Sequence, residues 1–227
     1  MKNLFLIVLA LSIGHFSLSQ NKEYMFWTKI GIKGPVMGNT SWFGELNSRF
    51  GRTGVETFFP QAGLEYKFYK WLKPSIEYRF IVDKNKFTNF KSSSRINFNV
   101  NVKKGVSNFT LGFRLRYQYA FNRIAGSGYD PDFDRAFRFK PSVEYKLKGV
   151  LTPFLSGELF LDPEYGQYGP GFTKFRLGVG TKVNLKGPNT ISVKYQLDKK
   201  FHNYLNGIRH VLAVSYSYRF KNSLFRG

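Results

Sequence analysis

Residues 95–103, Arg-Ile-Asn-Phe-Asn-Val-Asn-Val-Lys, and 108–121, Asn-Phe-Thr-Leu-Gly-Phe-Arg-Leu-Arg-Tyr-Gln-Tyr-Ala-Phe, decide the fold. In the first run Ile96, Phe98, Val100 and Val102 alternate with Arg95, Asn97, Asn99, Asn101 and Lys103. In the second, Phe109, Leu111, Phe113, Leu115 and Tyr117 alternate with Thr110, Gly112, Arg114, Arg116 and Gln118. A period of two puts apolar side chains on one face of a strand and polar ones on the other. The short connection Lys104-Gly105-Val106-Ser107, with Gly105 as its turn residue, makes the pair a hairpin. Each run reaches the roughly 9–11 residues that a tilted strand needs to cross a bilayer. The apolar face must therefore meet either a second sheet or lipid, and the rest of the chain distinguishes the two.

Residues 1–19 have the layout of a secretory signal. Lys2 is the positive start, Leu4–Ile13 the apolar stretch, and Ser17 and Ser19 the small residues before a cut at Gln20. The apolar stretch is shorter than the ~20 residues of a spanning helix. Residues 20–227 are then one exported domain of about 208 residues. With no Cys, disulfides and thiolate metal sites are excluded.

Aromatic residues make up 19% of the chain, too many for a disordered protein. Yet the mean hydropathy is −0.31 and no long apolar run follows the signal. Export, abundant aromatics and low hydropathy together describe an outer-membrane barrel, whose strands show lipid only every second residue. The net charge of +21 raises nucleic acid first. However, Lys and Arg are spread along the whole chain and no nucleic-acid signature is present, so no nucleic-acid partner is expected. The barrel lumen, neighbouring Glu residues and anionic lipid headgroups, lipopolysaccharide included, are the expected partners of this charge.

Further alternating segments fall at 41–50, 58–68, 74–81, 135–147, 151–161, 174–185, 191–197 and 209–220. Short connections near 70, 105, 148 and 187 alternate with longer ones near 87, 128, 166 and 204, as short periplasmic turns alternate with outer loops. The final strand ends on Phe220 after Tyr216 and Tyr218. A soluble sandwich does not require such alternation of loop length, so the fold class is all-β: an antiparallel transmembrane β-barrel of about 10–12 strands. Ten strands place the ends correctly. Tyr24–Lys33, with Phe26 and Trp27 suited to an interface belt, is an eleventh strand outside the even count, a lumen segment, or half of a further pair.

Four stretches resemble a known family. Ala62–Phe80 (Ala-Gly-Leu-Glu-Tyr-Lys-Phe-Tyr-Lys-Trp-Leu-Lys-Pro-Ser-Ile-Glu-Tyr-Arg-Phe), Pro153–Phe160, Phe175–Gly180 and the closing Tyr216–Phe220 are similar to the outer-membrane barrel family catalogued as domain-of-unknown-function family 2490. The resemblance spans most of the mature chain and rests on strand patterns. It implies the barrel fold and carries no activity with it.

By alternation the lumen receives a dense set of charges. Glu45 and Arg49 lie on one strand, Glu65 and Lys67 on the next, then Glu77 and Arg79. Arg114 and Arg116 follow, then Arg138, Lys140 and Glu144, then Glu158, and finally Lys174, Arg176, Lys182 and Lys194. In a barrel of about ten strands such side chains nearly fill the interior. They make either a charge-balanced structural network or the lining of a narrow, anion-preferring pore. Gly178 and Gly180 relieve crowding or mark a bend.

No catalytic residue, cofactor or metal site is expected. A lipid-modifying barrel enzyme sets a His two residues before a nucleophilic Ser, whereas His202 precedes Tyr204, and His210 precedes Leu212. His210 shares parity with Leu212 and Val214 and is expected to face the headgroups. Asp130, Asp132 and Asp134 have the spacing of a calcium loop, but Pro131, Arg135 and Pro141 break its pattern, which leaves a solvated loop. The expectation is a monomeric, non-enzymatic protein of the bacterial outer membrane. A lipid-modifying enzyme and an adhesion barrel acting through the 122–134 loop are the alternatives.

Overall fold

The computed structural model describes residues 22–84, 90–121, 135–147, 149–164, 169–185, 187–201 and 208–222. Residues 1–19, expected to be a secretory signal, the 122–134 loop with its three Asp residues, and the His202–Tyr204 pair lie outside them. Eleven strands follow in order: β1 (Lys22–Pro35), β2 (Thr40–Gly51), β3 (Gly54–Tyr66), β4 (Leu72–Lys84), β5 (Phe90–Val106) and β6 (Phe109–Phe121). The remainder are β7 (Arg135–Tyr145), β8 (Leu151–Asp162), β9 (Gly171–Asn184), β10 (Asn189–Lys200) and β11 (Ile208–Arg219). Each pairs with its sequence neighbours, and β1 pairs with β11 to close the barrel.

The quoted hairpin is β5–β6, paired from Ser94↔Phe121 to Val106↔Phe109. Its turn is tighter than the sequence suggested. Gly105 still pairs, opposite Thr110, and the reversal is made by Ser107 and Asn108, with Ser107 at φ 52°. Two-residue turns need positive φ to match the strand twist, and here Ser107 accepts that conformation in place of a glycine.

The N-terminal segment is a full wall strand. β1 pairs antiparallel with β2 and parallel with β11, in register from Lys22↔Ile208 to Lys33↔Arg219. An odd number of strands cannot close with antiparallel pairs alone, so one seam must be parallel. The N-terminal end of β1 and the C-terminal end of β11 thus lie at opposite ends of the barrel. The turn end carries connections 36–39, 67–71, 107–108, 146–150 and 185–188; the loop end carries 52–53, 85–89, 122–134, 163–170 and 201–207. The two-residue β2–β3 turn departs from the expected alternation, with Gly54 at φ 91° permitting the tight reversal.

The outer surface is apolar. Ile30, Leu46, Leu64, Leu111, Val179 and Leu212 are each 47–57% exposed and point away from the lumen. In water so continuous an apolar surface would aggregate; facing lipid, it is the stable arrangement. Near the turn end Tyr69 stacks on Trp71 and Trp42 on Phe220, giving an aromatic girdle. Two ladders are interrupted at mid-strand prolines. The β3–β4 register skips Phe59–Pro60 and the β7–β8 register skips Lys140–Pro141, since proline has no N–H to offer.

Candidate functional site

The lumen holds a cavity of about 1080 Å³. It is lined by sixteen lysines and arginines against five glutamates, Glu45, Glu65, Glu77, Glu144 and Glu158. The structure puts Glu65, Glu77, Arg79, Arg114, Arg116, Arg138, Lys140, Glu144, Glu158 and Arg176 on this lining. Lys67 does not join them: it is exposed in the turn after β3, where its N–H donates to the Asn39 carbonyl. Trp27 is also moved from its expected place. It points inward, with the Arg49 guanidinium 4.4 Å from its ring centre, while Phe26 faces out.

Every lining carboxylate is occupied by cations. Glu158 on β8 accepts from Arg114 at 2.7 Å, Arg138 at 2.9 Å and Arg176 at 3.4 Å. Glu77 on β4 meets Arg116 at 2.9 Å and Arg79 at 3.5 Å, and accepts from Asn97 Nδ2 at 2.8 Å. Glu144 lies between Lys103 at 3.1 Å and Lys182 at 2.7 Å; Glu45 pairs with Lys29 and Glu65 with Lys33. Buried charge is tolerated only when paired and hydrogen-bonded, and cross-strand placement supplies both here. Of the ten expected residues, Arg79 and Arg116 gather at Glu77 and Arg114, Arg138 and Arg176 at Glu158, making two buried hubs; Glu65 and Glu144 belong to a partly exposed cluster near the turn end, and Lys140 lines the cavity outside all three.

Neutral side chains and rings complete these hubs. Gln61 links Arg79 to Glu45, through bonds of 2.8 and 2.6 Å. Asn99 accepts from Arg116 Nε at 2.6 Å, and Asp198 takes a bidentate pair from Arg176 at 2.7 and 2.8 Å. Phe160 lies beneath Arg138 at 4.4 Å and Lys174 at 4.3 Å. Asn97, Asn99 and Phe160 share parity with the charges already noted, so the alternation carried this signal even though only charge was read from it.

The cavity is open at one end. Its lining reaches Gly187, Pro188 and Arg219 at the turn end. Toward the loop end, Met25, Ile81, Ala120, Ala136 and Val211 point inward and are at most 8% exposed, and none of them lines the cavity. These side chains, with Thr57 and Ser93, lie buried on the loop-end side of the charged hubs.

His210 faces outward from β11. Its ring stacks on Tyr24 with centres 5.1 Å apart, and its Nδ1 shares a 2.6 Å hydrogen bond with the Tyr195 hydroxyl. The imidazole is thus engaged by a phenol. Among the described residues, no group of three or more His, Asp or Glu side chains is placed to hold a metal ion.

The family described as "Protein of unknown function (DUF2490)" matches residues 25–207. The chain belongs to this family. No curated protein matches the sequence. Among solved structures, the DUF2490 barrel is similar to a bacterial polysaccharide outer membrane secretin, at 13% identity and a TM-score of 0.46. That match covers 78% of this chain and 63% of the secretin. It is also similar to the siderophore receptor PirA from Pseudomonas aeruginosa, at 16% identity and a TM-score of 0.30, over 74% of this chain and 34% of the receptor. The chain thus spans less than two thirds of either structure.

Proposed function

We propose that this DUF2490 protein is a non-enzymatic barrel of the bacterial outer membrane whose basic lumen admits anionic solutes from the turn end. The observation that carries the reading is the charge balance of the cavity: sixteen lining cations face five glutamates, and those glutamates are already paired. Surplus positive charge in a narrow, low-dielectric channel favours anions and repels cations. The turn end faces the periplasm, lipid and lipopolysaccharide surround the apolar wall, and the chain acts as a monomer. The apolar layer at the loop end keeps the passage shut at rest.

The non-enzymatic assignment is supported by the engagement of the lumen carboxylates in ion pairs and of His210 by Tyr195. The hydroxyl at His210 is a phenol on the outer face, not the serine alcohol of the lipid-modifying arrangement.

Proteoliposomes test the reading. Native protein should release chloride slowly, and the Met25→Ala/Ile81→Ala variant, with the closing layer thinned, should release chloride well ahead of potassium. Equal release of the two ions, or faster potassium, would contradict it.

A further inference from the structure

Two part-buried lysines of the lumen have no carboxylate at ion-pair distance among the described residues. Lys140 on β7 makes no ion pair among the described residues, and Lys194 on β10 donates its ammonium only to the neutral Gln196 side chain. Both line the cavity. Arg114, Lys194 and Arg176 surround Lys140 with positive charge, and Glu158, already held by three guanidinium groups, is the carboxylate whose charge also reaches it.

The wall between the two lysines is built to leave space. Ser142 follows Lys140 on the same face and pairs across the sheet with Ser156, which in turn pairs with Gly178. The stem of Lys194 lies across Gly178: a Cβ there would sit 3.1 Å from Lys194 Cδ and 3.2 Å from Ser156 Oγ. On the other side of Ser142, a Cβ at Gly112 would approach its Oγ to 2.6 Å. A side chain at Gly178 would crowd the lysine stem and the Ser156 hydroxyl, and one at Gly112 would displace the Ser142 hydroxyl. The hydroxyls are loosely held, each 3.5 Å from the Gly112 or Gly178 carbonyl, and so remain able to donate to something else.

We propose that Lys140 and Lys194, with the Ser142 and Ser156 hydroxyls, form a binding site for a compact dianionic oxyanion: the phosphate group of a soluble solute. The inference rests on the anion-admitting lumen and names its ligand class. Two ammonium groups and two hydroxyls supply charge and directed donors for tetrahedral oxygens. A dianion offsets both lysines at once, whereas chloride offsets one and accepts no directed set of bonds. The site lies on the inner face of the wall, which a bilayer lipid does not reach, and the cavity has volume for the rest of the solute.

Calorimetric titration of the purified full chain with inorganic phosphate, in detergent and chloride buffer, tests the site. Native protein should bind saturably. The Lys140→Met/Lys194→Met variant should bind at least ~tenfold more weakly, and Lys140→Arg/Lys194→Arg should stay near native. Neither lysine holds a carboxylate, so the variants should fold; heat-modifiable gel mobility checks this. Native-like binding by the Met variant, or no saturable binding by native protein, overturns the site. Tighter binding of short-chain phosphatidate than of phosphate overturns the soluble-solute assignment in favour of a lipid headgroup. The chloride-over-potassium flux is read separately, so loss of the site with anion preference intact spares the lumen reading, and loss of anion preference defeats that reading.

Discussion

Glu158 on β8 and Arg138 on β7 stand 2.9 Å apart, with side chains only 2% and 10% exposed. The same carboxylate also receives Arg114 and Arg176, so one negative charge holds three guanidinium groups from three further strands. Removing one partner of a buried pair strands the others without compensation. Glu158→Gln keeps the shape and deletes the charge. It should destabilise the barrel by about 3–5 kcal/mol, read from urea unfolding in lipid vesicles by tryptophan fluorescence.

Charge reversal at Arg114 or Arg116 is for the same reason a poor probe of selectivity. Arg116 lies 2.9 Å from Glu77 and Arg114 lies 2.7 Å from Glu158. A glutamate at either position would face a buried carboxylate. Arg116→Glu should yield little folded, heat-modifiable protein, whereas Lys140→Met should give near-native amounts.

The parallel seam can be locked. Thr28 and Val214 are direct partners across β1 and β11, and the chain contains no cysteine. Thr28→Cys/Val214→Cys should form an intramolecular disulfide under mild oxidation, since cross-strand partners lie within disulfide range. The product should resist heat unfolding on a gel. Absence of the crosslink in folded protein would mean that β1 does not close the wall.

Phe220 fastens the same seam at the turn end. Its ring stacks on Trp42 at 5.9 Å and its N–H donates to the Lys33 carbonyl at 2.8 Å. Phe220→Ala should cost about 1 kcal/mol through the lost ring contact. It should lower the temperature at which the folded gel band disappears, while Phe109→Ala, away from the seam, should leave the seam crosslink unchanged.

The wall was legible wherever one face was apolar and the other polar. The β5–β6 pairing and the charges of β4, β6 and β7 follow from period-two alternation alone, as does a turn near 70, although β3 ends at Tyr66, two residues before the alternation does. β1 resisted that reading because its inward face mixes Met25 and Trp27 with Lys29, so neither face is uniformly polar. Its partner also lies far away in sequence: Glu23 bonds Arg209 across 186 residues, and no local signal marks a parallel seam. The apolar side chains that face inward were hidden for a related reason. Ile81 and Val211 are apolar residues on the lumen face, and alternation assigns apolar residues to lipid. At Gly105 the glycine drew the turn two residues early, because Ser107 takes the positive φ instead. The two part-buried lysines at 140 and 194 looked like any other lumen charges until the ion pairs of their buried neighbours were placed.

The measurement that bears most directly on the proposed role is the reversal potential of Met25→Ala/Ile81→Ala in a planar bilayer under a tenfold potassium chloride gradient. Thinning the apolar layer should give steady conductance steps, with the potential on the chloride side. Adding Lys140→Glu and Lys194→Glu should move it toward the potassium side. An inserted, folded barrel that stays silent, or one that prefers potassium before any lysine is changed, would contradict an anion-admitting lumen.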